Sequence, residues 1–249
     1  MPDILNIAAY KFVALDDLPA LQSALRERSG ALGLRGTVLL APEGINLFVA
    51  APPDAVAGFR RFLDHHPGLG ARLAGMPVKQ SWSATQPFDK MRVKIKREII
   101  RMDQPQIRPG QGREPAVDAA TLARWLDAGR DDAGREVVML DTRNAWEADA
   151  GAFDGALDWR LAKFSDFPAA AAAHRGEMDG RTVVTYCTGG IRCEKAALAL
   201  QAVGLQRVWQ LDGGILGYLE RQGARHWHGR CVVFDERGAL DERLAPAAP

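Results

Sequence analysis

The sequence is short of cysteine, of metal-ligand spacings, of net charge and of long apolar runs, and each shortage excludes a class of protein. Three cysteines, Cys187, Cys193 and Cys231, stand in 249 residues. An odd and small number in a chain long enough to build a hydrophobic core argues against a disulfide framework and for free thiols in a reducing compartment. None of them forms a CxxC pair, and the five histidines make no HExxH or Cys/His spacing, so no metal site is expected. A formal net charge of +1 gives no global attraction to nucleic acid, so a polyanion must be met by a local patch. Nowhere do eighteen apolar residues run together, and Met1-Pro2-Asp3-Ile4-Leu5-Asn6-Ile7 lacks a basic segment leading into an apolar one. Neither a membrane span nor an export signal is expected, which makes the cytoplasm the expected compartment. The sequence leaves the oligomeric state open.

What remains is an ordinary globular composition, 47% hydrophobic and 25% charged, in a length that suits two modest domains. The first hundred residues predict a strand over Ile4 to Val13, then a helix capped by Asp16 with Leu18, Leu21 and Leu25 as its buried stripe. Strands over Thr37 to Ala41 and Ile45 to Ala50 follow, joined by Pro42-Glu43-Gly44 as a hairpin. Pro53 and Asp54 open a helix carrying Val56, Phe59 and Leu63, and Lys90 to Arg97 is the last strand. This β-α-β-β-α-β order is that of an α+β, ferredoxin-like domain over residues 1–102, with both helices on one face of an antiparallel sheet. Residues 103–117, with Pro105, Pro109, Gly110, Gly112 and Pro115, read as a linker.

From residue 118 the pattern changes. Asp118 caps a helix, Glu136 to Leu140 and Thr182 to Tyr186 are buried strands, and Phe164 to His174 and Glu194 to Val203 are helical. A strand over Arg207 to Leu211 completes an α/β domain with a mainly parallel sheet, expected over residues 118–225. Residues 226–249 form a C-terminal segment whose end, Leu244 to Pro249, is expected to be disordered.

Thr182-Val183-Val184-Thr185-Tyr186 leads to the carboxyl edge of that sheet, where open α/β folds bind ligands, and the next residue is Cys187. In Cys187-Thr188-Gly189-Gly190-Ile191-Arg192 the two glycines permit left-handed backbone angles, so the loop can turn its N–H groups inward as an anion nest. A helix start behind the loop and the charge of Arg192 favour the thiolate, the form a nucleophilic cysteine requires. The arginine follows as Cys-x4-Arg, whereas cysteine phosphatases use Cys-x5-Arg, so this smaller loop suits a single sulfur or oxygen atom. Cys193 sits in the first turn of the next helix, able to resolve an oxidised Cys187 or, as favoured here, to pack. Cys231 reads as a core residue. Asp141-Thr142-Arg143 ends a neighbouring strand with Glu147 one helical turn on; a buried ion-pair scaffold is favoured over a direct role for Asp141 and Arg143. Asp212-Gly213-Gly214 reads as structural, and His226-Trp227-His228, beyond the domain, receives no role.

In Lys90-Met91-Arg92-Val93-Lys94-Ile95-Lys96 the charges alternate with apolar residues, so period two puts Lys90, Arg92, Lys94 and Lys96 on one face. A solvated outer face explains this as well as a surface that tracks phosphates does. The lack of acidic residues among them tilts the reading toward a polyanion.

Asp141-Thr142-Arg143-Asn144, Cys187 to Ala196 and Leu211-Asp212-Gly213-Gly214-Ile215 together resemble the rhodanese-domain tRNA uridine hydroxylases. The likeness runs from Ile4 to about Leu244 and includes Pro42-Glu43-Gly44-Ile45-Asn46, Val93 to Ile99 and Val233-Phe234-Asp235-Glu236-Arg237. It implies a rhodanese-like second domain, tRNA as partner, molecular oxygen as co-substrate with no other cofactor evident, and hydroxylation of the wobble uridine at C5, with Cys187 essential. Longer members continue into a cysteine-rich extension that is not found before Pro249, and Asp158-Trp159-Arg160-Leu161-Ala162 departs from the family pattern. The alternatives are a sulfurtransferase carrying a persulfide on Cys187, and a non-enzymatic RNA-binding or redox-sensing module.

Overall fold

The computed structural model describes residues 3–110 and 115–246. Met1 and Pro2, Gly112 in the expected linker and residues 247–249 of the expected tail lie outside that range. The chain divides into two compact units, Met1–Arg101 and Met102–Pro249.

In the first unit, β1 (Ile4–Phe12), α1 (Leu18–Ala31), β2 (Arg35–Ala41), β3 (Gly44–Ala51), α2 (Pro53–His65), the single turn α3 (Gly70–Leu73), β4 (Val78–Ser83) and β5 (Met91–Ile95) form one sheet in the order β4-β1-β3-β2-β5. Alternation puts Leu5, Ile7, Val38, Leu40, Ile45, Leu47, Val49 and Val93 on one face. Leu21 and Leu25 of α1 and Val56, Phe59 and Leu63 of α2 bury that face in a single core. The ferredoxin-like architecture is therefore present, with three departures from the sequence reading. The strand beside β1 is β4, not the basic strand; Val-Lys-Gln-Ser-Trp-Ser is an edge strand with little apolar alternation, so its pattern is faint. The basic strand is a fifth one on the opposite edge, parallel to β2, which makes the sheet mixed rather than antiparallel. The cap of α1 is Asp17, whose carboxylate accepts from the Ala20 N–H, rather than Asp16.

The second unit comprises β6 (Ala116–Val117), α4 (Ala119–Ala128), β7 (Val137–Asp141), α5 (Ala145–Ala148), β8 (Gly151–Phe153), β9 (Leu157–Asp158), α6 (Phe167–Ala173), β10 (Thr182–Tyr186), α7 (Ile191–Ala202), β11 (Val208–Leu211), α8 (Gly214–Gln222), β12 (Trp227–Gly229), β13 (Cys231–Val232) and β14 (Ala239–Leu240). Five strands are parallel in the order β6-β11-β10-β7-β9, so β10 is central and buried along its whole length. Asp118 caps α4 by accepting from the N–H groups of Ala120 and Thr121. Ala116 and Val117, at the end of the expected linker, are the edge strand β6.

The C-terminal segment is not appended to this unit but built into it. Trp227–Gly229 pairs antiparallel with β8, and Trp227 and Cys231 join the core with Phe153, Tyr186 and Tyr218. His226 contacts Asp127 and His228 contacts Asp154, so both histidines tie the strand down at the surface. Leu244 packs against the same core and Pro246 bridges Leu240, which corrects the expectation of disorder for these residues. One leucine and one bridge place a short Ala- and Pro-rich segment that composition alone assigns to a tail.

Candidate active site

Parallel pairing of β7 with β10 sets Asp141 opposite Tyr186, so the chain leaves both strands at the same sheet edge. There the loop from Cys187 curls back. The Gly190 N–H donates to Cys187 Sγ at 3.1 Å, and Gly190, with φ 103°, is the residue from which α7 starts. Gly189 does not share that left-handed conformation, so a single glycine makes the curl. The loop is also held from behind. The N–H groups of Ile215 and Leu216, at the start of α8, donate to the carbonyls of Cys187 and Thr188 at 3.0 and 3.2 Å, and Thr188 Oγ1 donates to the Val232 carbonyl at 3.3 Å.

Gly214 is where this support is tightest. Its φ is 61°, and a Cβ there would stand 2.5 Å from the Cys187 carbonyl oxygen and 2.9 Å from Gly190 N. Gly214→Ala is therefore expected to push the loop outward. Forcing a side chain into a left-handed position alone costs about 1–3 kcal/mol. The variant should melt at lower temperature, and its ultraviolet thiolate absorbance should titrate at higher pH as the amides leave the sulfur. An unchanged titration would show that the contact does not shape the loop.

Cys187 is 1% exposed. Burial opposes its ionisation, yet a hydrogen bond from Cys193, the charge of Arg192 and the N–H groups of Arg192 and Gly190 outweigh it and hold the thiol well below its ordinary range. Burial, followed by the neighbouring Cys187 sulfur, drives Cys193 well above that range, so Cys193 is the protonated member of the pair. Cys193 itself is fully buried, with its sulfur 4.0 Å from the Thr142 hydroxyl.

Arg192 is buried and forked onto Glu147, with Nη1 to Oε2 and Nη2 to Oε1 both at 2.7 Å. Glu147 in turn accepts from the Asn144 N–H and so holds the start of α5. The Glu147–Arg192 pair was not legible from sequence because the partners are far apart in the chain. Asp141 and Arg143 form a separate pair at 2.5 Å. Arg143 also donates to the carbonyls of Glu147 and Gly151 and lies over the Tyr186 and Trp227 rings. Those bonds consume the guanidinium in holding the sheet edge together. Arg160, in the segment that departs from the family pattern, pairs with Asp149 and Asp158.

Two aromatic residues also belong to this site. Trp146, next to Glu147, and Phe234, whose ring centroid lies 6.0 Å from the Arg192 guanidinium carbon, meet edge to face at 6.2 Å. Among the described residues there is no cluster of three His, Cys, Asp or Glu that could hold a metal ion. None of the described helices is long and apolar enough to cross a membrane.

In the first unit, Lys90, Arg92, Lys94 and Lys96 are all exposed. Arg92 and Lys94 lie on the face of β5 opposite Val93, which is buried against the helices. A cavity of about 340 Å³ beside β5 is lined by Arg92 and Lys94 together with Arg26 of α1.

Comparison with known proteins agrees with this architecture. Residues 4–99 match the family described as UPF0176 acylphosphatase like domain, and residues 118–221 match the rhodanese-like domain. The chain is 59% identical over its whole length to the tRNA uridine(34) hydroxylase of Variovorax paradoxus, covering 93% of that protein. It is 58% identical over 99% of its length to the one from Bordetella petrii, covering 96% of it. With the longer Burkholderia pseudomallei protein of the same name it shares 55% identity over 98% of this chain and 81% of that one. Two domain matches in the observed order, and identity of this level along the full chain, place it: the chain belongs to the tRNA uridine(34) hydroxylase family.

Proposed function

We infer that this chain hydroxylates uridine 34 of tRNA at C5, with Cys187 as the reacting group and molecular oxygen as the co-substrate. The observation that carries the reading is the combination of full-length identity to hydroxylases of that name with a buried cysteine whose ionisation the loop favours. Uracil is electrophilic at C6. A thiolate adding there moves the electron pair of the C5–C6 double bond to C5, which bonds to molecular oxygen; the C5 hydroperoxide so formed is reduced by an external two-electron donor, which takes two protons, releases the distal oxygen as water and leaves the hydroxyl on C5. Loss of the C5 proton and expulsion of the thiolate restore the ring. The Gly190 N–H and the start of α7 hold the sulfur as an anion before addition and after release. The compartment follows from the substrate: tRNA is met in the cytoplasm.

The test is nucleoside mass spectrometry of tRNA from cells with and without the protein. Loss of 5-hydroxyuridine in its absence is expected, and an unchanged level would sink the assignment. Thiosulfate-to-cyanide sulfur transfer by the purified protein, run alongside, measures the rival persulfide chemistry that the same loop supports.

Lys90, Arg92, Lys94 and Lys96, all exposed, are assigned to the tRNA backbone. Each cation that neutralises a phosphate contributes about 0.7–0.9 to the slope of log affinity against log salt concentration. The double variant Arg92→Ala/Lys94→Ala should therefore bind tRNA more weakly, with a flatter salt dependence by about 1.4–1.8. A parallel weakening with unchanged slope would mean that these side chains do not meet phosphates.

A further inference from the structure

Most large apolar side chains of this protein are buried, but Trp82, Ile95, Trp146 and Phe234 are exposed among the described residues. Two of the four come together, each 53% exposed, in an edge-to-face contact at the Cys187 site. The contact does not bury them. Their positions are instead fixed from below: Trp146 belongs to α5, whose N-cap N–H, that of Asn144, is held by the same Glu147 carboxylate that grips Arg192. Phe234 lies against the Arg192 guanidinium, and the Asp235–Arg237 ion pair closes the turn that follows it. Thr188 of the cysteine loop is bonded to Val232, two residues before Phe234. Both rings are thus anchored through residues that also hold the Cys187 loop, while a large part of each is left to solvent.

We propose that Trp146 and Phe234 form a stacking platform for an unpaired nucleobase next to uridine 34 in the tRNA anticodon loop. This deepens the functional reading above and rests on it. The occupant follows from the chemistry of the site. A substrate base presented by a single-stranded loop arrives with unstacked neighbours, and such bases are held on exposed aromatic faces. Cys187 is buried and the rings stand at the surface over residues that hold its loop, which is where the neighbour of a base drawn in toward the sulfur is left. Arg192 beneath Phe234, held in turn by Glu147, fixes the height of that ring. Stacking accepts any base, so the platform sets how well the loop is held and not which neighbour it carries.

The experiment uses the full-length protein and a synthetic anticodon stem-loop RNA bearing uridine at position 34. Loss of one base stack weakens binding by roughly 5- to 150-fold, so Trp146→Ala and Phe234→Ala should each fall in that range. Phe234→Tyr should keep wild-type affinity, whereas Phe234→Leu, which retains bulk without a π-face, should not. Abasic replacement of the nucleotide on one side of uridine 34 should weaken wild-type binding by a similar factor and cost the Phe234→Ala variant little more. Melting temperatures close to wild type are expected, since both side chains are exposed, and they separate loss of stacking from loss of fold. If wild type binds the RNA and makes 5-hydroxyuridine in cells but Trp146→Ala and Phe234→Ala bind equally well, or Phe234→Leu behaves as Phe234→Tyr does, the platform is refuted and the hydroxylase reading stands. If wild type neither binds the RNA nor is required for 5-hydroxyuridine, both readings fall together.

Discussion

Cells carrying Cys187→Ser as their sole copy of this protein should contain no 5-hydroxyuridine above the level of a deletion strain. Serine matches the size of cysteine and keeps an acceptor for the Gly190 N–H, so the loop retains its shape. What disappears is the anion. A hydroxyl stays protonated where the thiol, held well below its ordinary range, is ionised, and removing a nucleophile that forms a covalent intermediate costs at least about 10³-fold in rate. The same lowering fixes the pH dependence. A free thiol loses half its charge near pH 8.5, so activity limited by Cys187 should persist well into neutral and mildly acidic solution and fall only as pH drops through the lowered value. Stability moves in the same sense. Because the folded state favours the thiolate, Cys187 adds stability that is complete above the ordinary thiol pKa and fades as pH falls through the folded one. The gap in melting temperature between wild type and Cys187→Ser should therefore narrow on acidification. A normal level of 5-hydroxyuridine with the serine variant would remove Cys187 from the chemistry.

How far the sequence predicts this site depends on whether the cause is local. Five β-branched or aromatic residues ending at Cys187, a glycine where φ must be positive and a helix start directly afterward all act within one stretch of chain, and strand, loop and helix lie where the pattern puts them. The basic strand is legible in part: alternation buries Val93 and exposes Arg92 and Lys94, but Ile95 is exposed as well, and Lys90 and Lys96 fall outside the strand. Its place in the sheet is not legible. Placing it on the far edge of the sheet instead of beside β1 required noticing β4, an edge strand with one buried residue, Ser83, and little periodicity to detect. The least legible parts are pairs brought together from distant stretches. Nothing in Glu147 or Arg192 alone announces a bidentate contact, and Trp146 and Phe234 look like scattered surface aromatics until the fold joins them. Gly214 carried a faint signal, since a Gly-Gly pair before a helix marks a demanding turn, but what it accommodates is the backbone of the cysteine loop.

The Glu147–Arg192 pair invites the second large effect, because here fold and chemistry share one charge. Both side chains are buried, at 0% and 6% exposure, and removing one partner leaves the other's charge stranded, at a cost of about 3–5 kcal/mol. Glu147→Leu and Arg192→Met should each lower the melting temperature, by about 2–4 °C for every kcal/mol lost in a domain of this size. The double variant strands no charge. It should be more stable than the sum of the single changes predicts, with a coupling of about 2 kcal/mol, although it still forfeits the bond from Glu147 to the Asn144 N–H. Recovery of stability should not bring recovery of function. Without Arg192 a positive charge is gone from beside Cys187, the thiol moves up toward its ordinary range, and whatever hydroxylation survives should shift to higher pH. Differential melting of the four proteins measures the coupling, and thiolate titration of the double variant measures the charge. If the double variant folds well and its Cys187 still ionises as in wild type, then the loop amides and Cys193 alone sustain the anion, and Arg192 is an architectural residue.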